Sequence, residues 1–372
     1  MLSRRHLLLA LGALGLPAGS RAVEYPAVVP RPLLFPADHG AHPDFRTEWW
    51  YLTGWLGPPA RPLGFQVTFF RVRTDVDPAN PSAFAARQLV IAHAAIADPA
   101  GGRLRVDERL ARTGFGLVEA ATGDTDVRLE DWFLARDPAT DSYRCLIPAR
   151  EFRLEFTATP RGPPWLQGDA GLSRKGPLPA QASYYYSRPQ LAVTATLGRS
   201  GFSRDPAAIA PDGAPTALTG VAWLDHEWSS TALAPEAAGW DWTGMNLSDG
   251  SALLAFQVRR QDATPGDPPL WRYAAWHLPD GSERVVDPAT VSFTPLDHWT
   301  SARSGARWPV AQRVRVEGRT FDTRPLMPDQ ELDSRLTTGA VYWEGASTLL
   351  ESGRPVGRGY LEMTGYASPL TL

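Results

Sequence analysis

The sequence predicts an all-β protein built from two antiparallel barrels in tandem, and three observations carry that expectation. Helical periodicity is scarce along the 372 residues, which break instead into short runs with a period of two. The runs are rich in β-branched and aromatic residues and stop at Gly, Pro and Asp. A motif also recurs at half-chain spacing. "EWWYLTGWL…FQV" occupies Glu48 to Val67 and "EW…WDWTGMNL…FQV" occupies Glu227 to Val258, each passing through Thr-Gly before Phe-Gln-Val. Each copy precedes a strand carrying a histidine, His93 or His277, so two similar units in series are expected. Exposed sheet edges invite aggregation, and closure into barrels removes them. A barrel of about eight strands leaves room inside for side chains or one small ligand.

The chain opens on "SRRHLLLALGALGLPAGSRA", with Arg4-Arg5, an apolar run Leu7–Leu16 and a small-residue site ending at Ala22. That is the layout of an export signal, too short to span a bilayer, and the twin arginine favours the Tat route. A periplasmic or exported protein beginning near Val23 follows. Removing residues 1–22 takes away three arginines and no acids, which leaves 34 basic against 40 acidic residues, a net charge of −6. Nucleic acid is excluded as a partner, because no basic field remains to neutralise phosphates. Cys145 stands alone and is expected as a small buried hydrophobe. Lys175 is the sole lysine, which reads as a bias of composition toward arginine.

The strands expected along the chain include "LGFQVTFFRVR", "QLVIAHAAIAD", "FRLEFTATP", "LAVTATLG", "ALLAFQVRR", "WRYAAWH", "RVRVEGRTFD" and "GAVYWEGAS". The 35 prolines and 33 glycines serve turns between them, since aromatic content stays at 10%. Residues 160–182 are too long for a hairpin turn and read as a lid. The stretch 203–217, rich in Pro, Ala and Asp, reads as a linker between an N-terminal domain, 30–202, and a C-terminal domain, 218–372.

The segment "VAWLDHEWSS" holds the chemistry. A period of two sets Trp223, Asp225 and Glu227 on one face and Leu224, His226 and Trp228 on the other. If the first face meets a pocket, two carboxyls share apolar surroundings and one becomes an acid near neutral pH. If the second does, His226 is the candidate and the carboxylates pair with arginines. The alternative is a satisfied polar cluster between barrels. Pocket candidates are Trp50 and Tyr51 of the first strand, His93, and Tyr185 and Tyr186 of "ASYYYSRP", where phenols offer hydrogen bonds on apolar bodies. Trp49, Trp50 and Trp55 also suit a closed barrel end, and Ser187 reads as structural. There is no G-x-S-x-G, H-E-x-x-H or P-loop, and histidines show no ligand spacing. No metal or cofactor is expected, so acid–base work or plain binding remains.

"HPDFRTEWWYLTGWL", "IAHAAI", "GLSRKG", "ASYYYSRPQL", "VAWLDHEWSS" and "GWDWTGMNLSDGSALLAFQVRR" together resemble the carotenoid 1,2-hydratase/AttH family from about Phe35 to the C-terminus. The resemblance implies tandem lipocalin-like barrels. It also implies either a hydratase of isoprenoid double bonds or an exported lipid-handling protein of the kind labelled secreted hydrolases. As a hydratase, Asp225 would protonate the alkene and His226 or Glu227 would handle water. Tyr185 and Trp240 would flank the cation, with Trp223 and Trp242 adding aromatic faces. Such an enzyme would be a hydro-lyase or hydrolase without metal or nucleophilic Ser or Cys. The export signal favours the lipid-handling branch. Its expected partners are a lipophilic small molecule, an ABC-transporter permease and, peripherally, a membrane surface. The third reading is a structural envelope protein whose aromatics merely bury barrel ends.

Overall fold

The computed structural model describes residues 23–199, 215–231, 233–264 and 267–370. The export signal expected at 1–22 and most of the linker expected at 203–217 lie outside the described residues. The fold is all-β, as expected. Its first part contains β1 (Thr47–Leu56), β2 (Leu63–Arg73), β3 (Gln88–Asp98), β4 (Arg103–Arg112), β5 (Val118–Ala120) and β6 (Asp126–Leu129). Next come β7 (Trp132–Asp137), β8 (Ser142–Pro148), β9 (Phe152–Thr159), β10 (Trp165–Leu166), β11 (Leu172–Arg174), β12 (Ala182–Arg199) and β13 (Thr216–Thr231). These form one antiparallel sheet in the order β4-β3-β2-β1-β13-β12-β9-β8-β7-β6-β5, with β10 and β11 flanking β12.

The second part holds β14 (Ala237–Leu247), β15 (Ala252–Arg260), β16 (Trp271–His277), β17 (Glu283–Val285) and β18 (Ser292–Thr300). It continues with β19 (Arg307–Val316), β20 (Arg319–Pro325), β21 (Glu331–Ser334), β22 (Ala340–Glu351) and β23 (Arg354–Thr364). The order is β17-β16-β15-β14-β23-β22-β20-β19-β18, with β21 beside β22. In both sheets the first strand pairs with the last, β1 with β13 and β14 with β23.

Two expectations need correction. The second domain was expected to start at 218, but β13 inserts between β1 and β12 and belongs to the first sheet. Its even-numbered residues Ala222, Leu224 and Trp228 complete the first hydrophobic core. A Pro- and Asp-rich stretch marks a loop, whereas sheet membership follows the apolar face that must be buried. The sequence repeat also does not preserve its faces. Phe65 packs in the first core, while Phe256 packs in the cluster between the sheets. Likeness in sequence here reports shared strand order, not shared side-chain direction.

The curled sheets are filled. The first encloses Trp50, Phe65, Phe69, Trp132, Tyr143 and Phe152, so side chains take the room that the sequence left open to side chains or a small ligand. The second encloses Met245, Leu253, Trp276, Val314 and Phe321. Strand β1 is covered on both sides, as its paired aromatics require. Trp50 and Leu52 enter the first core, while Tyr51 and Trp55 join Tyr185, Trp223, Trp242 and Phe256 between the sheets. The sheets approach closely there, since a Cβ on Gly64 would lie 2.5 Å from that of Ala346. Trp55 Nε1 donates to Gly359 O at 2.9 Å across the same contact.

A buried charge network pins the N-terminal segment to the first barrel. Glu48 accepts from Arg71 Nε at 2.7 Å and pairs with His42 Nδ1 at 2.7 Å and His226 Nε2 at 2.9 Å. His42 Nε2 reaches Asp38 at 2.9 Å, and Asp38 accepts from Arg31. Burial opposes charge on His42, but its bonds to Asp38 and Glu48 outweigh burial and raise its pKa. The opposite outcome holds for Glu48, whose burial is outweighed by His226, His42 and Arg71, so it stays ionised. Glu48→Gln leaves Arg71 and His42 buried without their anion. A loss of about 3–5 kcal/mol is expected, read as a lowered urea midpoint.

Candidate functional site

Strand β13 presents two chemistries on its two faces. Leu224, His226 and Trp228 enter the first barrel, where the His226 ring stacks on Trp50 at 4.7 Å. Trp223, Asp225 and Glu227 face the second sheet. Antiparallel register then builds a single row across the first sheet: Ser187, Asp225, Tyr51, Thr68, His93 and Glu108. Neighbouring strands lie about 4.8 Å apart, so the row runs some 14 Å from Asp225 to His93.

Above this row lies a cavity of about 490 Å³ between the two sheets. Phe70, Leu89, Ile91, Leu233, Phe256 and Val258 supply apolar wall. Among the carboxyls that line it are Asp225 and Glu227 from β13, Glu344 from β22 and Glu362 from β23. Lys175 enters from the loop after β11.

Asp225 is held by three donors. Ser187 Oγ and Trp223 Nε1 donate to Oδ1 at 2.5 and 2.7 Å, and Tyr185 Oη donates to Oδ2 at 2.7 Å. Trp242 Nε1 in turn donates to Tyr185 Oη at 3.1 Å. These bonds favour the carboxylate, yet burial outweighs them and, with repulsion from Glu227, pushes Asp225 up to about 7. Glu227 sits 3.0 Å from Lys175 Nζ, close enough for an ion pair but at an angle short of a hydrogen bond. Lys175 Nζ also stands 4.4 Å from the centres of the Tyr185 and Phe256 rings, a cation–π seat for its charge.

Glu344 and Glu362 are directly opposed on neighbouring strands. Like charges so placed repel, and burial adds to the effect. Burial pushes Glu362 up to about 8, helped by Asp225 and Glu227 and opposed by the Trp240 Nε1 bond at 2.9 Å. Burial and Glu362 raise Glu344 well above its ordinary value, against a 2.8 Å bond from Tyr51 Oη.

A second chain of bonds leaves the cavity through Tyr342. Its Oη lies 2.6 Å from His93 Nδ1, His93 Nε2 lies 3.0 Å from Thr337 Oγ1, and Thr337 donates to Glu108 Oε2 at 2.7 Å. Because Thr337 donates onward, His93 Nε2 carries the proton and Nδ1 accepts from Tyr342. Burial lowers His93 to about 3, so it stays neutral.

The expected site residues therefore divide. Asp225, Glu227, Tyr51, Tyr185, Trp240 and Trp242 line the cavity. Trp223 supports Asp225 from beneath. His226, Trp50 and Tyr186 are corrected: they stand two positions from Leu224, Leu52 and Tyr184, which fill the first core, so they face into that barrel. His93 stands behind Tyr342 without lining the cavity. Ser187, read as structural, bonds Asp225. The stretch 160–182 is not a free lid, since Trp165, Gln167 and Ser173 are buried and Gly168 N donates to Tyr273 Oη at 2.8 Å. Lys175, a compositional remainder by sequence, instead lines the cavity beside Glu227, and its being the lone lysine among arginines is the signal for it. Glu344 and Glu362 were missed. "VYWEGAS" and "YLEMT" each set a glutamate within an apolar strand, Glu344 buried and Glu362 half-buried, and only pairing sets them opposite each other.

Inside the first barrel His42, Glu48 and His226 bring donor atoms within 4.8 Å of one another, a spacing a metal could use. Here those atoms bond one another, and Glu48 is shared with Arg71.

The AttH-like family model matches residues 26–366. The chain belongs to the AttH-like family. A candidate AttH protein from Nitrosomonas europaea is 51% identical over 92% of this chain and 99% of that one, with a TM-score of 0.81. Kievitone hydratase from Nectria haematococca shares the fold at 14% identity, covering 93% and 97% of the two chains with a TM-score of 0.65. Among curated proteins, none matches the chain.

The raised carboxyls of this AttH-like cavity fix the sign of its pH response. Asp225, near 7, and Glu362, near 8, lie above their ordinary values of about 4. Their contribution to stability is complete below about pH 4 and is lost as pH rises through 7 and 8. The melting temperature should fall between pH 5 and 9, and Asp225→Asn should flatten the lower part of that fall. A melting temperature that rises over this range would contradict the assignment.

Proposed function

We propose that the protein adds water to, or eliminates it from, a carbon–carbon double bond of a lipophilic molecule held between its two barrels, with Asp225 as the acid. One observation carries this reading: a buried carboxyl whose pKa, near 7, leaves it a proton to give at neutral pH, beside an apolar cavity of ligand size. Kievitone hydratase, of like fold, offers a precedent for a hydratase on this architecture.

In the hydration direction, the Asp225 carboxyl passes its proton to one alkene carbon and becomes a carboxylate. Positive charge develops on the neighbouring carbon, where the rings of Tyr185, Trp240 and Trp242 and the acidic groups stabilise it. Water attacks that carbon and gives up a proton. Glu227 suits the acceptor role, being two residues along the same strand face, about 6.7 Å by strand rise, and paired with Lys175. His226, which the resemblance offered for this step, faces the other barrel. Transfer of the accepted proton back to Asp225 closes the cycle. Tyr342, His93, Thr337 and Glu108 form a bonded line to partly exposed carboxylate, a route by which the cavity exchanges protons with solvent.

A carrier of the same ligand is the second reading, favoured by the apolar wall. Incubating the protein with farnesol in heavy-oxygen water separates the two. The enzyme yields a product heavier by one labelled water, and Asp225→Asn lowers its formation roughly a hundredfold or more while ligand binding persists. Equal turnover by Asp225→Asn would remove Asp225 from the role, and binding without product would leave the carrier. Tyr342→Phe should slow turnover without weakening binding.

Export through residues 1–22, which rests on the sequence, and work beside an ABC-type permease, which rests on the family resemblance, belong to the same proposal. Fractionation of cells making the full chain should find it in the periplasm, and Arg4→Lys with Arg5→Lys should retain it inside.

A further inference from the structure

The apolar wall of the cavity continues beyond it to the edge of the first sheet. Register sets Phe70 opposite Ile91 and Ile91 opposite Leu110, while Val72 faces Leu89 and Leu89 faces Arg112. Phe70, Val72, Leu89 and Ile91 line the cavity, and Leu110 and Arg112 carry the same face onto β4, the terminal strand of the sheet. Burial falls along this path: Ile91 is buried, Leu89 half-buried and Leu110 45% exposed. Apolar side chains gather where it ends. Phe84, between β2 and β3, is 73% exposed and Phe115, after β4, is 61% exposed, and their rings stack at 5.5 Å. The Arg112 guanidinium stands 5.3 and 4.5 Å from the centres of these two rings. Phe115 holds a left-handed φ of 59°, uncommon for a bulky residue, and its ring is exposed all the same. From the second sheet comes Leu336, 94% exposed. Its neighbour Thr337 lines the cavity and bonds Glu108, two residues before Leu110. Arg87 and Arg112 donate to the backbone oxygens of Asn80 and Ala83, and neither pairs with a carboxylate among the described residues.

From this placement we infer that the edge formed by Phe84, Leu110, Phe115 and Leu336 docks on a lipid bilayer, and that the ligand passes between bilayer and cavity across it. This rests on the cavity being the site of a lipophilic ligand and adds the phase from which that ligand comes. Exposed apolar side chains gathered at one place mark a contact surface. Here the surface runs without a break into the cavity wall, so a molecule crossing it never leaves apolar surroundings. The rings and leucines suit the acyl boundary, while Arg87 and Arg112 stand free to meet lipid phosphates at the level of the head groups. A folded partner seated on the same edge would close the cavity. A fluid bilayer keeps it open to the phase in which lipophilic molecules dissolve.

Sedimentation with vesicles of equal parts phosphatidylcholine and phosphatidylglycerol tests this. The sample is the protein as cells accumulate it, so that wild type and variant share one amino terminus. Wild-type protein should pellet with the vesicles. Phe84→Ser with Phe115→Asn should weaken that binding about tenfold or more, the scale of two aromatic rings withdrawn from an apolar phase. Asparagine suits the left-handed backbone at 115, and both rings are exposed, so the variant should melt with the wild type. Calorimetric titration with geraniol dissolved in water should give the two proteins affinities within about threefold. Farnesol supplied inside vesicles should reach the variant about tenfold more slowly. Equal vesicle binding by both proteins, or none by either, overturns the inference, while geraniol binding keeps the cavity as a ligand site. A wild-type dimer that the substitutions split would assign the edge to a second copy of the chain and overturn the bilayer. Docking lost by the variant with farnesol delivered at an equal rate overturns the ligand path. Failure of both geraniol and farnesol to bind overturns the ligand site as well.

Discussion

Four carboxyl groups, Asp225, Glu227, Glu344 and Glu362, share the crevice between the two sheets with a single ammonium group, Lys175. Water cannot screen them well there, so the charges cannot all be carried at once. The crevice resolves this in two ways. Glu227 keeps a cation beside it. Asp225, Glu344 and Glu362 are pushed toward their neutral forms by burial and by one another. A carboxyl held toward its neutral form beside an apolar space is the direct result, and the site's pH response follows from it.

The crevice exists because the barrels are full. Trp50, Trp132, Phe152 and their neighbours occupy the first interior, and Trp276 and Phe321 the second. Between the barrels, space remains where two curved outer faces meet and cannot follow one another's curvature. Small residues bring the sheets together beside it, as at Gly64 against Ala346, while large aromatics prop them apart at Trp223 and Trp242. The site is thus assembled from β1, β2, β3, β12, β13, β14, β15, β22 and β23, and neither sheet alone encloses it.

Two neighbouring residues show how one strand serves two purposes. His226 stabilises the first barrel through Glu48, in a network whose anions stay ionised. Asp225, beside it in sequence, faces the crevice and is driven the other way. Through His226, β13 therefore helps to keep Glu48 of β1 charged on one face, while its own Asp225 is pushed toward the neutral form on the other. What separates them is the company on each side: Arg71 and His42 inside the barrel, Glu227 and an apolar wall outside.

Alternation along "VAWLDHEWSS" was enough to separate Asp225 and Glu227 from His226, because strand geometry sends successive side chains to opposite faces whatever the fold. Composition and turn residues likewise determined the strands and the absence of long helices. Which face met the cavity was beyond local sequence, since both faces of β1 and β13 are apolar enough to be buried. Tertiary structure decided it by filling the barrels and leaving the void outside. It also decided that Glu344 would oppose Glu362, that Lys175 would cross from a distant loop to Glu227, and that β13 would close the first sheet. Those are register and packing outcomes between segments far apart in the chain, and no periodicity within one segment encodes them.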